Sequence, residues 1–99
     1  MHVVVWEYRI IQETRAAFEE AYGPGGGWAS LFRKGEGYDC TELLRDGADP
    51  SRYVTIDRWQ SREDFDCFMN RSREAYESFD RECEGLTNSE ALIGAFQTP

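Results

Sequence analysis

What most narrows the fold of this 99-residue chain is the order in which two hydrophobic periods succeed one another along it. Val3 to Ile10 alternates with a period of two, which sets Val4, Trp6, Tyr8 and Ile10 on one face and Val3, Val5, Glu7 and Arg9 on the other, as in a strand. From about Glu13 to Tyr22 the period turns helical, Phe18, Ala21 and Tyr22 sharing a face, and Gly23 with Pro24 ends it. Pro24 to Gly27 reads as a flexible turn; no GKS or GxGxxG accompanies it, so it is no phosphate cradle. Trp28, Leu31 and Phe32 fit one or two helical turns. Tyr38 to Arg45 and Arg52 to Gln60 read as the strands of a hairpin, turned at Asp46, Gly47, Asp49 and Pro50. Ser61, with Asp64 three residues on, opens a long helix whose stripe runs Phe65, Phe68, Met69, Ser72, Tyr76, Phe79 and Cys83, until Gly85 stops it. Glu90 to Phe96 is a fourth strand.

The order is βαββαβ. Right-handed crossovers fold it into an α+β, ferredoxin-like arrangement, a four-stranded antiparallel sheet with two helices on one face. Residues 1–99 are expected to form a single domain, since a chain of this length has no material for a second core. Helices on one face leave the other bare, yet the strands are apolar on both sides: Val3 and Val5 lie opposite to Val4 and Trp6, and Val54 and Ile56 to Tyr53 and Trp59. A bare apolar face should not meet water. Packing it on the sheet of a second copy gives a closed two-fold homodimer, a dimeric α+β barrel.

Charge and cysteine usage remove several functions. With 19 Asp plus Glu against 11 Lys plus Arg the net charge is −8, which repels phosphate backbones and anionic lipids, so neither nucleic acid nor membrane is expected as a partner. Cys40, Cys67 and Cys83 are odd in number and lack a CxxC spacing, so neither a disulfide framework nor a zinc site is indicated; Cys67 and Cys83 read as buried small hydrophobes. MHVVVWEYRI lacks a basic leader and reads as a strand, which makes a cytoplasmic location the expectation. The single histidine, His2, reads as a terminal surface residue, and no HExxH or Ser/His/Asp set suggests a metal or a hydrolytic triad.

The strings VVVWEYRI, FEEAYG, WASLF, GYDCTELL, RYVTIDRWQS and SREDF together resemble antibiotic biosynthesis monooxygenase-like domains over nearly the whole chain, with Trp59, Ser61 and Phe65 holding a W-x-S-x-x-x-F pattern. The resemblance implies a dimeric barrel and, in one group of members, oxygenation of polycyclic aromatic substrates without a cofactor, in a pocket between sheet and helices. A second group degrades haem and needs an Asn on strand one and a Trp and a His on the long helix. Trp6, Phe68 and Ser78 stand at those positions here, so the resemblance implies no haem. A third group has no established reaction.

On this footing the expected pocket is lined by Trp6, Trp28, Phe32, Trp59, Phe65, Phe68 and Tyr76, and takes a small aromatic or quinol-like ligand with no cofactor. Each ring also has a packing role open to it: Trp59 can line a pocket mouth or plug the sheet-to-helix junction, and Trp28 and Phe32 can act as a lid or as core. Tyr8 or Arg52 is the expected catalytic group, stabilising negative charge as an ionised substrate passes an electron to dioxygen. Tyr38, Tyr53 and Tyr76 are further donors, and Glu42, Asp57, Arg52 and Arg58 could act as base or anion partner, but no constellation stands out; Asp57 with Arg58 and Arg52 with Glu42 read as surface or interface ion pairs. The alternative is a non-catalytic homodimeric module that binds a small ligand or serves a structural role. A polar group facing a cavity would separate the two.

Overall fold

A computed structural model describes all 99 residues. His2–Arg9 is strand β1; a 3-10 turn at Gln12–Thr14 leads into helix α1, Arg15–Tyr22; Gly27–Phe32 is α2, Tyr38–Arg45 β2, Arg52–Trp59 β3, Arg62–Arg71 α3, Arg73–Glu82 α4 and Ser89–Gln97 β4. The sheet order is β2-β3-β1-β4, each neighbouring pair antiparallel. This is the interleaving of two βαβ units that the element order predicts, with all helices on one face.

Register then decides what the helices cover. β1 runs against β3 with Val4 opposite Asp57, Trp6 opposite Thr55 and Tyr8 opposite Tyr53. Those residues share the helix-covered face, where eleven buried side chains form the core, Phe18, Tyr53 and Trp59 among its most enclosed. α3 opens as predicted: the Ser61 hydroxyl accepts a hydrogen bond from the Asp64 backbone N–H at 3.1 Å.

Three expectations need correction. The long helix is two helices, because Ser72 leaves helical geometry at φ −110°, ψ 16°. The Ser72 side chain caps nothing; the bend follows the packing, α3 laying Phe65 and Phe68 on Trp59 while α4 lays Tyr76 and Phe79 on Trp28. His2 is buried, not a surface residue: β4 pairs with β1 so that Gln97 stands opposite it, its Nδ1 lies 2.8 Å from Gln97 Nε2, and its ring packs on Phe65. Cys67 is exposed; only Cys83 is buried.

β4 carries a bulge. Val5 faces Gly94 but Trp6 faces Leu92, so Ile93 is the extra residue, and both Leu92 and Ala95 reach the helix side. On the opposite face Val3, Val5, Val54 and Ile56 are half-buried and Leu44 and Phe96 exposed, with no element of the chain over them. Charges frame this bare face in pairs other than those expected. Arg52 bonds Glu7 at 3.0 Å and Asp46 at 3.2 Å rather than Glu42, and Arg58 pairs with Glu42 rather than Asp57. No helix is long and apolar enough to cross a membrane.

Candidate functional site

Between the covered face of the sheet and the helices lies a cavity of about 210 Å³. β1 contributes Trp6 and Tyr8, α1 Tyr22, α2 Trp28 and Phe32, and α4 Tyr76. Their rings form a continuous wall: Tyr8 to Tyr22 is 4.9 Å between centroids, Tyr22 to Trp28 6.0 Å, and Trp28 to Tyr76 4.8 Å. A second, more apolar cavity of about 160 Å³ shares Trp6, Phe32, Asp57 and Tyr76 with the first and continues past Val4, Phe65, Met69, Leu92 and Ala95.

The polar content of this space comes from β2 and β3. Asp57 lines both cavities although only 8% of it is exposed. Its Oδ1 accepts a hydrogen bond from Thr41 Oγ1 at 2.6 Å, and because that hydroxyl's single proton is so used, the Tyr38 hydroxyl, 2.8 Å from Thr41, is the donor in its own bond. Oδ2 receives no hydrogen bond. Burial raises the Asp57 carboxyl from its ordinary 3.8 to about 6, against the opposing pull of the Thr41 bond. Near neutral pH it is therefore an ionised carboxylate that protonates readily, the poise of a general base.

Beside it, Thr55 Oγ1 donates to the Tyr8 hydroxyl at 3.4 Å, which leaves the Tyr8 proton free to be donated. Burial pushes the Tyr8 and Tyr22 phenols far above the usual range and Tyr76 up to about 12, so all three stay neutral donors at any physiological pH. The Trp28 indole N–H is buried without a bond of standard geometry, though it lies towards the Tyr22 hydroxyl and Cys83. Asp80 and Glu90, both exposed, complete the lining at its edge.

Of the residues expected from sequence, Trp6, Tyr8, Trp28, Phe32 and Tyr76 meet in the first cavity and Phe65 in the second. Trp28 and Phe32 are buried wall rather than a lid. Trp59 and Phe68 line neither: Trp59 is wholly enclosed among Phe32, Tyr38, Phe65 and Phe68, a plug between sheet and helix. Arg52 lies on the far face of the sheet, bonded to Glu7 and Asp46. Asp57 is not the surface partner of Arg58 that its charged neighbour suggests; strand alternation carries the better signal, since Tyr53 and Trp59 point inward and Asp57 shares their parity. The roles of Tyr22, Thr41, Asp80 and Glu90 had no local signal, because the fold brings them together from separate elements.

A family model described as antibiotic biosynthesis monooxygenase matches residues 1–80. No curated protein sequence matches the chain. Among solved structures it is similar to a mutant of SnoaB, a cofactor-independent oxygenase from Streptomyces nogalater, at 17% identity and TM-score 0.72 over 98% of this chain and 91% of that one. It is similar to a mutant of MhuD with two manganese protoporphyrin IX bound per active site, at 18% identity and TM-score 0.75 over 99% and 94%, and to a conserved protein from Methanosarcina mazei Go1, at 17% identity and TM-score 0.69 over 99% and 92%. The residues here do not suit a porphyrin: the one imidazole is bonded to Gln97 outside the cavity, and Ser78 is exposed on α4.

Proposed function

Because this chain belongs to the antibiotic biosynthesis monooxygenase family, we propose that it is a cofactor-independent oxygenase of small aromatic or quinol-like molecules, with Asp57 as the base. The observation that carries this reading is the Asp57 carboxylate, buried among aromatic rings with one oxygen unpartnered and its pKa raised to about 6.

The reaction follows from the proton balance. A substrate with a CH2 activated by a conjugated carbonyl across the ring, as in an anthrone, gives a proton to Asp57 and becomes the enolate; the carboxyl becomes neutral as the substrate becomes an anion, so two negative charges never face one another. The anion is electron-rich enough to reduce dioxygen, adding O2 to the carbon as a hydroperoxide, and loss of water leaves a carbonyl: R2CH2 + O2 gives R2CO + H2O. Tyr8, a neutral donor in the lining of the same cavity, stabilises the oxygen on which charge gathers. The ring wall excludes water from the anion.

The bare sheet face supports a homodimer, in which Val3, Val5, Val54, Ile56 and Phe96 pack on the same residues of a second copy. We place the protein in the cytoplasm, where its three unpaired cysteines remain thiols. The test of catalysis is oxygen uptake with anthrone and naphthoquinol substrates. Uptake by the wild type that falls by about 10²–10⁴ in D57N is expected; uptake unchanged in D57N would remove Asp57 as the base, and tight binding without uptake would leave the non-catalytic module.

A further inference from the structure

The charge around the cavity is one-sided. Asp57 sits within it and Asp80 and Glu90 at its edge, while no lysine, arginine or histidine lines either cavity. Outside the edge the surface continues as a groove of about 250 Å³ formed by Tyr22, Asp80, Cys83, Glu84 and Glu90 with Gly85 and Thr87, again without a basic group. Partial burial raises the Glu90 carboxyl and the nearby Asp80 charge adds to it, so the two carboxylates feel one another across the opening. The protein's net charge of −8 adds to the same field.

If the reaction forms an anion in this space, a counter-charge is needed, and the cavity brings none. It offers instead two things that attract a cation: carboxylates at the opening, and the electron-rich rings of Tyr22, Trp28 and Tyr76 in its lining. The Oδ2 of Asp57, which receives no hydrogen bond, is an acceptor open to a ligand donor in a side chain that is otherwise 8% exposed. We propose that the molecule bound here is a flat aromatic amine, its ammonium held at the opening by Asp80 and Glu90 beside the Tyr22 and Tyr76 rings, and its acidic proton directed at Asp57. This rests on the oxygenase reading for the second half only; the preference for a cation stands on the lining alone. The substrate then carries its own counter-charge into the site.

The test is binding of three probes of one shape and different charge: 1-naphthylmethylamine, 1-naphthalenemethanol and 1-naphthoate, read by quenching of tryptophan fluorescence, since Trp6 and Trp28 line the cavity. The amine should bind about tenfold more tightly than the alcohol, the carboxylate more weakly than either, and the advantage should shrink as salt is raised to about 1 M. The double variant D80N/E90Q, altered at two exposed positions, should erase the difference between amine and alcohol. Equal affinities for amine and alcohol, a preference that survives D80N/E90Q, or no binding by any probe overturns the proposal. No turnover is needed, so absent oxygen uptake with the amine preference intact refutes the oxygenase reading alone, and uptake without the preference refutes this one alone.

Discussion

Replacing Asp57 by asparagine should make the protein more stable as well as inactive, and the size of the gain should depend on pH in a way that identifies its cause. The side chain keeps its shape, and Thr41 can donate to an amide oxygen as it does to Oδ1. In the unfolded chain the carboxyl titrates near 3.8, in the folded one near 6. Below pH 3.8 both states hold the proton and the group contributes nothing to the pH dependence. Between 3.8 and 6 the folded state keeps a proton that the unfolded state has shed, so stability falls as pH rises through that window; above 6 the whole cost of a buried charge is felt. At about 1.4 kcal/mol for each tenfold difference in proton affinity, the cost reaches about 3 kcal/mol. D57N is uncharged throughout, so its advantage over wild type in urea unfolding, at one protein concentration, should grow from near zero at pH 3 to about 3 kcal/mol at pH 8. An advantage that does not change with pH, or a wild type more stable than D57N at pH 8, would refute the argument that this carboxylate is desolvated in the native state.

Other consequences can be measured separately. Ile56→Glu puts a charge amid Val3, Val5 and Val54 and should leave a monomer by light scattering where wild type is a dimer; a wild type that is itself monomeric defeats the sheet-to-sheet reading. Trp59→Ala, which empties a fully enclosed site, should cost about 3–5 kcal/mol in urea unfolding, and a cost under about 1 kcal/mol would contradict its role as a plug. Gly27→Ala sets a methyl group 2.3 Å from Phe79 Cζ and should loosen α4, seen as faster amide exchange across Arg73–Glu82 with the sheet amides unchanged.

The architecture was readable from sequence because it depends on local period and on chain order: the strands and caps sit within a residue or two of where the alternation and Ser61 put them, and Val54 and Ile56 announced a second apolar face. Ser72 was not readable as a break, since it lies in the stripe and one residue's backbone angles are decided by what the two halves pack against. Aromatic rings were found readily but their division between wall and plug was not, because Trp6 and Trp59 have the same chemistry and differ only in whether space remains beside them. Asp57 was concealed by a charged neighbour, and Arg52 was favoured only for its charge; strand parity, applied to polar residues as strictly as to apolar ones, separates the two.

The bend at Ser72 divides the cover of the cavity into two parts. Tyr76 and Asp80 ride on α4, a helix none of whose residues is buried and which rests on the wall through the contacts of Tyr76 and Phe79 with Trp28. Phe65 and Met69 ride on α3, capped by Ser61 and seated on Trp59. Ser72, the single residue between the two helices, therefore sets the angle at which the two parts of the cover meet, and with it the room left beneath them for a guest.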